Sequence, residues 1–327
     1  MKAIQKLVGN YRTEIKGIAI LWVAFFHAQL GLDGFLYDVQ KIGYGGVDMF
    51  FFLSGFGLWH SLSRGTKGYF RRRAERILPA YLPFCIVWLA VMIPLSNMGM
   101  GKALHTIAGN VLMVGYFLDT PLMINWYVSA LTVSLIIAPV LYWSLQGERG
   151  SLIRAGALLA GAAALGLLFV GDVKYMAVSR LPVFILGMLF ARPVKKDGKA
   201  VLILLAVGAV CALAALLLCF EKRPDALLRY AMYWHPFVLI APALCCGLGW
   251  IFARCPAGML KPLRFIGEAS FEIFLFNVWA ELLGKRYGLG GSAAAWVALT
   301  VGSILLGLVY HRIVQDKKFC AFLKKRA

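Results

Sequence analysis

A histidine inside an apolar stretch is the first feature of the sequence that could do chemistry. His27 lies in KGIAILWVAFFHAQL (16–30), eleven residues after Lys16. At about 1.5 Å per helical residue it would lie roughly 16 Å from the charged end of its helix, near the middle of a bilayer. An imidazole titrates near neutrality and can take a proton from a hydroxyl. His27 is therefore either a general base or a histidine hydrogen-bonded to a neighbouring helix.

A basic loop follows the second apolar stretch. The segment RGTKGYFRRRAER (64–76) contains Arg72, Arg73 and Arg76, and the last two lead directly into the next apolar run. Guanidinium groups suit phosphates, so one interpretation is a binding site for a phosphorylated cofactor. The other is that the loop anchors the chain on the cytoplasmic side of a membrane.

Two charged residues lie at the heads of other apolar runs. Asp48 is the second residue of VDMFFFLSGFG (47–57), which follows the glycines of GYGG (43–46). Arg180 is the first residue of RLPVFILGMLF. A carboxylate in such a place needs a partner, which could be a basic residue, a histidine or an acceptor molecule. Arg180 could extend to the outer interface.

The remaining candidates are uncharged or acidic. Trp126 stands where we expect the outer mouth of a span, as an aromatic belt residue or a substrate contact, and Ser129 adds a hydroxyl just below it. Glu268 and Glu272 are four residues apart, so they share a helix face. Glu272 is the deeper of the two and has the greater need of a partner.

Composition indicates an all-α, polytopic membrane protein. Of the 327 residues, 61% are hydrophobic, the net charge is +19, and the apolar runs approach 20 residues. Helices satisfy their own backbone groups in lipid, and the ten-residue alternation of barrel strands is absent. Because the basic residues stand between apolar runs, topology explains the charge, and nucleic acid is not an expected partner. The cysteines show no metal or redox spacing, so no metal is expected.

The distribution of Lys and Arg predicts the topology. Eleven apolar runs occur at about 17–36, 44–62, 77–95, 104–118, 125–145, 152–170, 179–191, 199–220, 232–253, 266–284 and 292–313. If 104–118 did not span, the basic segments near 192–199 and 317–326 would both be cytoplasmic. We therefore predict ten spans, both termini inside, and a surface or re-entrant helix at 104–118. We expect residues 1–327 to form one membrane domain with no fused soluble domain.

These residues suit an enzyme that transfers a group across a membrane, but they also suit a transporter or flippase of a glycan or small polar molecule. Several motifs together resemble the acyltransferase-3 family of bacterial membrane O-acyltransferases. The matching segments occur in family order and cover nearly the whole chain: Lys16 to His27, 43–56, Arg73 to Arg76 with ILPAY, NWYVSAL (125–131), RLPVFILGM (180–188) and 270–277.

The resemblance implies the chemistry. It implies a multi-pass protein of the bacterial cytoplasmic membrane that moves an acyl group, acetyl being the first expectation, from cytoplasmic acyl-CoA to a hydroxyl of a cell-surface or exported glycan. His27 and Asp48 would be catalytic, and the donor would be bound by Arg73, Arg76, Lys16 and Arg72. The acceptor would be bound by Trp126, Arg180, Ser129 and Glu272.

The sequence departs from the family pattern at two positions. Lys16 stands where arginine is usual, which keeps the charge but loses the planar fork of donors. Asn277 stands where the late segment usually ends in histidine, so no second base is assigned there.

Overall fold

The computed structural model describes residues 1–147, 151–170, 172, 174–193, 199–222, 233–289 and 292–315, and these form helices and turns without a strand. In chain order the helices are α1 (Lys2–Asn10), α2 (Arg12–His27), α3 (Gly34–Lys41), α4 (Gly45–Ser63), α5 (Tyr69–Ser96), α6 (Met100–Val111), α7 (Trp126–Ser144), α8 (Ser151–Leu168), α9 (Tyr175–Val178), α10 (Leu181–Phe190), α11 (Lys199–Lys222), α12 (Phe237–Phe252), α13 (Ala257–Glu268), α14 (Ser270–Arg286) and α15 (Ala293–Gln315).

Four of these helices are long and apolar enough to cross a bilayer: α5, α7, α11 and α15. Shorter apolar helices occupy Ile153–Leu168, Tyr175–Phe190 and Phe237–Phe252. The all-helical prediction is confirmed for the described part of the chain. Ten spans and cytoplasmic termini stay predictions, and the basic segments 194–198 and 316–327 used in the charge argument lie outside the described residues.

The segment after α5 folds back along that helix. α6 has 12 residues, about 18 Å at 1.5 Å per residue, which is too short for a bilayer core of about 30 Å. The Tyr81 hydroxyl of α5 donates to the Asn110 carbonyl (2.8 Å), and Trp88 Nε1 donates to the Leu122 carbonyl (2.9 Å). The Asn110 side chain accepts from Ile124 N–H at 2.9 Å. The run 104–118 therefore contains the last part of a short helix followed by turns. That this helix lies at the outer surface or re-enters the membrane stays a prediction.

The described residues divide into two compact units, each assembled from three separated segments. The first unit comprises residues 1–19, 44–66 and 134–267. Within it α4 and α10 cross closely: a Cβ atom on Gly55 would strike the Phe184 carbonyl oxygen, and one on Gly187 would strike the Phe52 carbonyl oxygen. Glycine is therefore required on both sides, because each backbone occupies the space of the other's side chain.

The second unit comprises residues 20–43, 67–133 and 268–327. α14 and α15 pack against each other, with Gly307 against the backbone of Ile273 and Gly284 against the ring of Trp296. A hydrophobic core joins α5, the start of α7 and α14; its buried members are Tyr81, Phe84, Cys85, Trp88, Leu89, Ile124, Val128 and Leu275. The prediction of a single membrane domain stays a prediction.

Candidate functional site

His27 is the last residue of α2, and a glutamate of α14 faces it. The distance from His27 Nδ1 to Glu281 Oε2 is 2.9 Å, and the two side chains are 25% and 23% exposed. The Phe26 ring lies edge-on to the imidazole at 5.0 Å between centroids. The pair belongs to the second unit and is open on one side.

Two glycines and a glutamine follow the end of α2 at His27. Gly31 and Gly34 both have φ of +62°, a conformation that favours glycine and does not continue a helix. Gln40 of α3 then folds under the helix end, where its Nε2 donates to the Phe25 carbonyl (2.9 Å) and to the Ala28 carbonyl. The helix predicted over residues 16–30 therefore ends three residues early, at His27. The carbonyl groups of the last turn are capped by a side chain instead of by a further turn.

Glu281 connects His27 to a lysine. Its second oxygen, Oε1, accepts from Lys285 Nζ at 2.5 Å, one helical turn further along α14. A carboxylate only accepts hydrogen bonds, so the Nδ1 of His27 must donate its hydrogen to Glu281. In the neutral ring the lone pair is then on Nε2, which makes no hydrogen bond within the described residues.

Sequence reasoning missed both Glu281 and Lys285. The signal was the spacing ELLGK, which puts opposite charges at i and i+4 on a helix that ends an apolar run. Nothing local to Glu281 indicates a histidine as its other partner.

The basic residues of the loop cluster at the N-terminus of α5, also in the second unit. Arg72 and Arg76 are exposed, and Arg72 Nη1 donates to the Lys67 carbonyl at 2.6 Å. Arg73 is half-buried with its guanidinium 5.9 Å from the centre of the Tyr69 ring. The first turn contains no acidic residue. Positive charge is thus added to the positive end of the helix dipole, an arrangement that favours a bound anion.

Trp126 and Ser129 lie in the first turn of α7. The first turn packs beside the central part of α5, since Ile124 and Val128 share the core with Tyr81. Ser129 is buried, and its Oγ accepts from the Tyr116 N–H at 3.3 Å. The hydroxyl expected to meet substrate is therefore engaged in holding the folded-back segment.

Glu272 has a histidine partner of its own. The distance from its Oε1 to His311 Nδ1 on α15 is 3.0 Å, and the side chains are 6% and 16% exposed. Sequence analysis predicted that Glu272 needs a partner and assigned it to substrate binding. The structure supplies an internal partner, His311 of α15.

Asp48 and Arg180 lie together in the first unit. The Asp48 Oδ1 and Arg180 Nε are 3.4 Å apart, and each side chain is 1% exposed. Arg180 also donates from Nη1 to the Met176 carbonyl (2.8 Å) and to Ser179 Oγ (3.1 Å), and its guanidinium lies over the ring of Trp234. Of the three partners considered for Asp48, the structure supplies the basic residue.

Lys16 also belongs to the first unit, where it is half-buried. Its neighbour Glu14 is buried and paired with Arg264, whose Nη2 is 2.6 Å from Glu14 Oε1. Of the residues predicted from the sequence, the first unit contains Lys16, Asp48 and Arg180. The second unit contains His27, Arg72, Arg73, Arg76, Trp126, Ser129 and Glu272.

Comparison with known proteins adds one finding. The family described as an acyltransferase domain matches residues 15–312, nearly the whole chain. Searches among curated proteins and among solved structures gave no match. The matched segment contains His27, Glu281 and the arginines of α5. The chain therefore belongs to the acyltransferase-3 family and is a membrane acyltransferase.

Proposed function

We propose that the protein transfers an acyl group from acyl-CoA to a hydroxyl of an acceptor, with His27 as the general base. The observation that carries this proposal is the pairing of His27 Nδ1 with Glu281 at 2.9 Å in a partly exposed position. Glu281 orients the ring and stabilises the imidazolium that forms when Nε2 takes a proton. Lys285 holds the carboxylate from its other oxygen.

The step balances without a further reactant. The acceptor hydroxyl gives its proton to Nε2 of His27 while its oxygen bonds to the thioester carbonyl carbon. The carbonyl electron pair moves onto oxygen, and its return breaks the C–S bond. The thiolate of CoA takes the proton from His27. One ester and one CoA thiol are formed, and the histidine is neutral again.

The N-terminus of α5 is our proposed binding site for the phosphates of CoA. Arg76 and Arg72 are exposed, and the helix terminus directs backbone N–H groups and a positive dipole outward. Arginine is suited to phosphate because its planar fork can make two parallel hydrogen bonds. A bound phosphate would relieve the repulsion among Arg72, Arg73 and Arg76.

For the substrates we propose an acetyl group as the acyl group and a cell-surface or exported glycan as the acceptor. The bacterial cytoplasmic membrane is the proposed location, with the donor on the cytoplasmic side. These proposals follow from the family and from the charge pattern of the loops. Trp126 and Lys16 stay proposed contacts for acceptor and donor respectively.

The test uses the full chain in lipid vesicles with radiolabelled acetyl-CoA and a mixed extract of surface glycans. We expect label on a glycan hydroxyl with the unaltered protein. We expect a loss of about 10²–10⁴-fold in rate for His27→Ala at equal amounts of folded protein. A normal rate in His27→Ala would overturn the assignment of the base. Glycan movement across the vesicle without label on it would favour a transporter.

A further inference from the structure

An apolar groove lies between the last turns of α2 and the helix α15, within the second unit. Leu21, Ala24 and Ala28 line it on one side, and Val297 and Val301 line it on the other. Spacings of three and four residues place the first three on one helix face, so the groove follows α2 to its end. We call it the α2–α15 groove.

The α2–α15 groove has a closed floor and an open rim. Ala24 and Ala28 are 1% and 3% exposed, whereas Val297 and Val301 are 49% and 48% exposed. His27 follows Ala24 by three residues and directly precedes Ala28. The floor of the groove therefore adjoins the helix end that carries the proposed base.

The lining of the groove matches one part of the two proposed substrates. Among the described residues that line it, Thr300 alone has a polar side chain. Glycan hydroxyls and the amides of the pantetheine arm would lose their hydrogen bonds to water in such a place without gaining partners. The acyl chain of the donor has no polar group beyond the thioester, so it is the part that fits an apolar lining.

The size of the groove fits a chain longer than acetyl. Its volume of about 200 Å³ is roughly seven times the ~30 Å³ that a water molecule occupies in the liquid, and a methylene group is close to water in size. Acetyl has a single methyl group beyond its carbonyl and would leave the groove nearly empty. A straight chain of about six carbons would fill most of it.

We infer that the α2–α15 groove receives the acyl chain of the donor and that medium-chain acyl-CoA is a better donor than acetyl-CoA. The inference rests on the proposed acyl transfer and extends its donor from acetyl to longer chains. The bonds made and broken are those of the step described above. Each methylene that leaves water for the groove would improve binding by up to about fourfold. The gain should lower KM, because the chain is bound alike before and during the reaction.

The test measures kcat/KM for the full chain in lipid vesicles with acetyl-, butyryl-, hexanoyl- and octanoyl-CoA, each labelled in the acyl group, and one extract of surface glycans. For the unaltered protein we expect kcat/KM to rise by about tenfold or more from acetyl-CoA to hexanoyl-CoA. Val301→Trp places a large ring in the groove and should lower the ratio of hexanoyl to acetyl transfer by about tenfold or more.

Val309→Trp is the matched control. Val309 is 57% exposed on the same helix and does not line the groove, so this variant should leave the ratio unchanged. The control also accounts for the partition of longer acyl-CoA molecules into the vesicles, which is the same for every variant.

Val301→Ala makes the opposite change and keeps the test valid if the tryptophan variant does not fold. It widens the groove, so the ratio of octanoyl to hexanoyl transfer should rise. The inference is overturned if the unaltered protein uses acetyl-CoA best, or if the folded variants of Val301 keep the chain-length profile of Val309→Trp. An unchanged profile would indicate that a membrane lipid occupies the groove.

Failure of this inference is distinct from failure of the proposed function. If acetyl is transferred and longer chains are not, the acyl transfer stands and only the role of the groove is wrong. If no label is transferred from any of the four donors, the acyl-transfer proposal itself fails and the inference about the groove fails with it.

Discussion

The His27–Glu281 pair and the Asp48–Arg180 pair have similar components and opposite surroundings. Each joins a carboxylate to a basic group within apolar helices. The side chains of the first pair are 25% and 23% exposed, whereas those of the second are 1% exposed on both sides. The His27 side chain is partly exposed, whereas Asp48 is enclosed by protein. The difference fits the proton transfer that we propose for the first pair, and it leads us to expect that the second pair joins helices.

Removing one member of the enclosed pair should have the largest effect. Arg180→Met leaves Asp48 buried without its charged partner, which typically costs about 3–5 kcal/mol. We expect most of the protein to be lost from the folded fraction, as measured by thermal unfolding in detergent and by yield.

The double variant Asp48→Leu/Arg180→Met should recover much of the stability, because two charges are then removed together. If that double variant folds normally but transfers no acyl group, Asp48 has a catalytic role after all, and the comparison drawn above is wrong.

Changing the open pair should damage activity without damaging the fold. Glu281→Gln keeps the shape of the side chain but cannot stabilise an imidazolium, and its amide can hold the wrong tautomer of His27. We expect kcat to fall about a hundredfold or more, with a melting temperature within a few degrees of normal. The rate of acetyl transfer at saturating acetyl-CoA is the measurement, and an unchanged kcat would contradict the assigned role.

Variants of the arginines of α5 test donor binding separately from the chemical step, because they should change KM for acyl-CoA and not kcat. Arg76→Met should raise KM for acyl-CoA about tenfold or more, because a hydrogen bond to a charged group contributes about 1.5–3 kcal/mol. The value of kcat should change little.

Arg71→Met is the matched control. Arg71 is 83% exposed on its side chain, and its Nε is 2.9 Å from Glu75 Oε1. A surface pair of this kind contributes little to stability, so this variant should leave KM nearly unchanged. Equal effects of the two variants would indicate general charge attraction instead of a specific phosphate contact.

The smallest expected effect is at Ser129. Its hydroxyl accepts one backbone hydrogen bond from Tyr116, so Ser129→Ala should destabilise the fold by about 1 kcal/mol. KM for the acceptor should not change. A raised KM for the glycan with an unchanged melting temperature would restore Ser129 to the acceptor site.

The sequence predicted the helices well and their ends less well. Run 44–62 became α4 (Gly45–Ser63), and run 292–313 became α15 (Ala293–Gln315), within one or two residues. Apolar length is a local property, so it can be read without the fold. The helix predicted over 16–30 ends at His27, because apolar composition does not show the left-handed glycines Gly31 and Gly34 that follow or the Gln40 side chain that caps the helix end.

The site followed the same division. Residue type and spacing were enough to make His27, Arg73 and Arg76 candidates for the site, because a titratable or basic residue within or beside an apolar run can be recognised from the sequence alone. The side chains that pair with the predicted residues could not be identified in this way. Glu281 meets His27, Arg180 meets Asp48, and His311 meets Glu272 across long separations in the chain, and any of several charged residues could have filled each role.

By itself the sequence determined that this protein is a helical membrane acyltransferase with a candidate base at His27 and a basic N-terminus on α5. Only the tertiary structure decided which carboxylate orients the histidine and which one is enclosed. The physical reason is that hydropathy and helix length depend on neighbouring residues, whereas the pairing and exposure of a charge depend on which helices pack beside it.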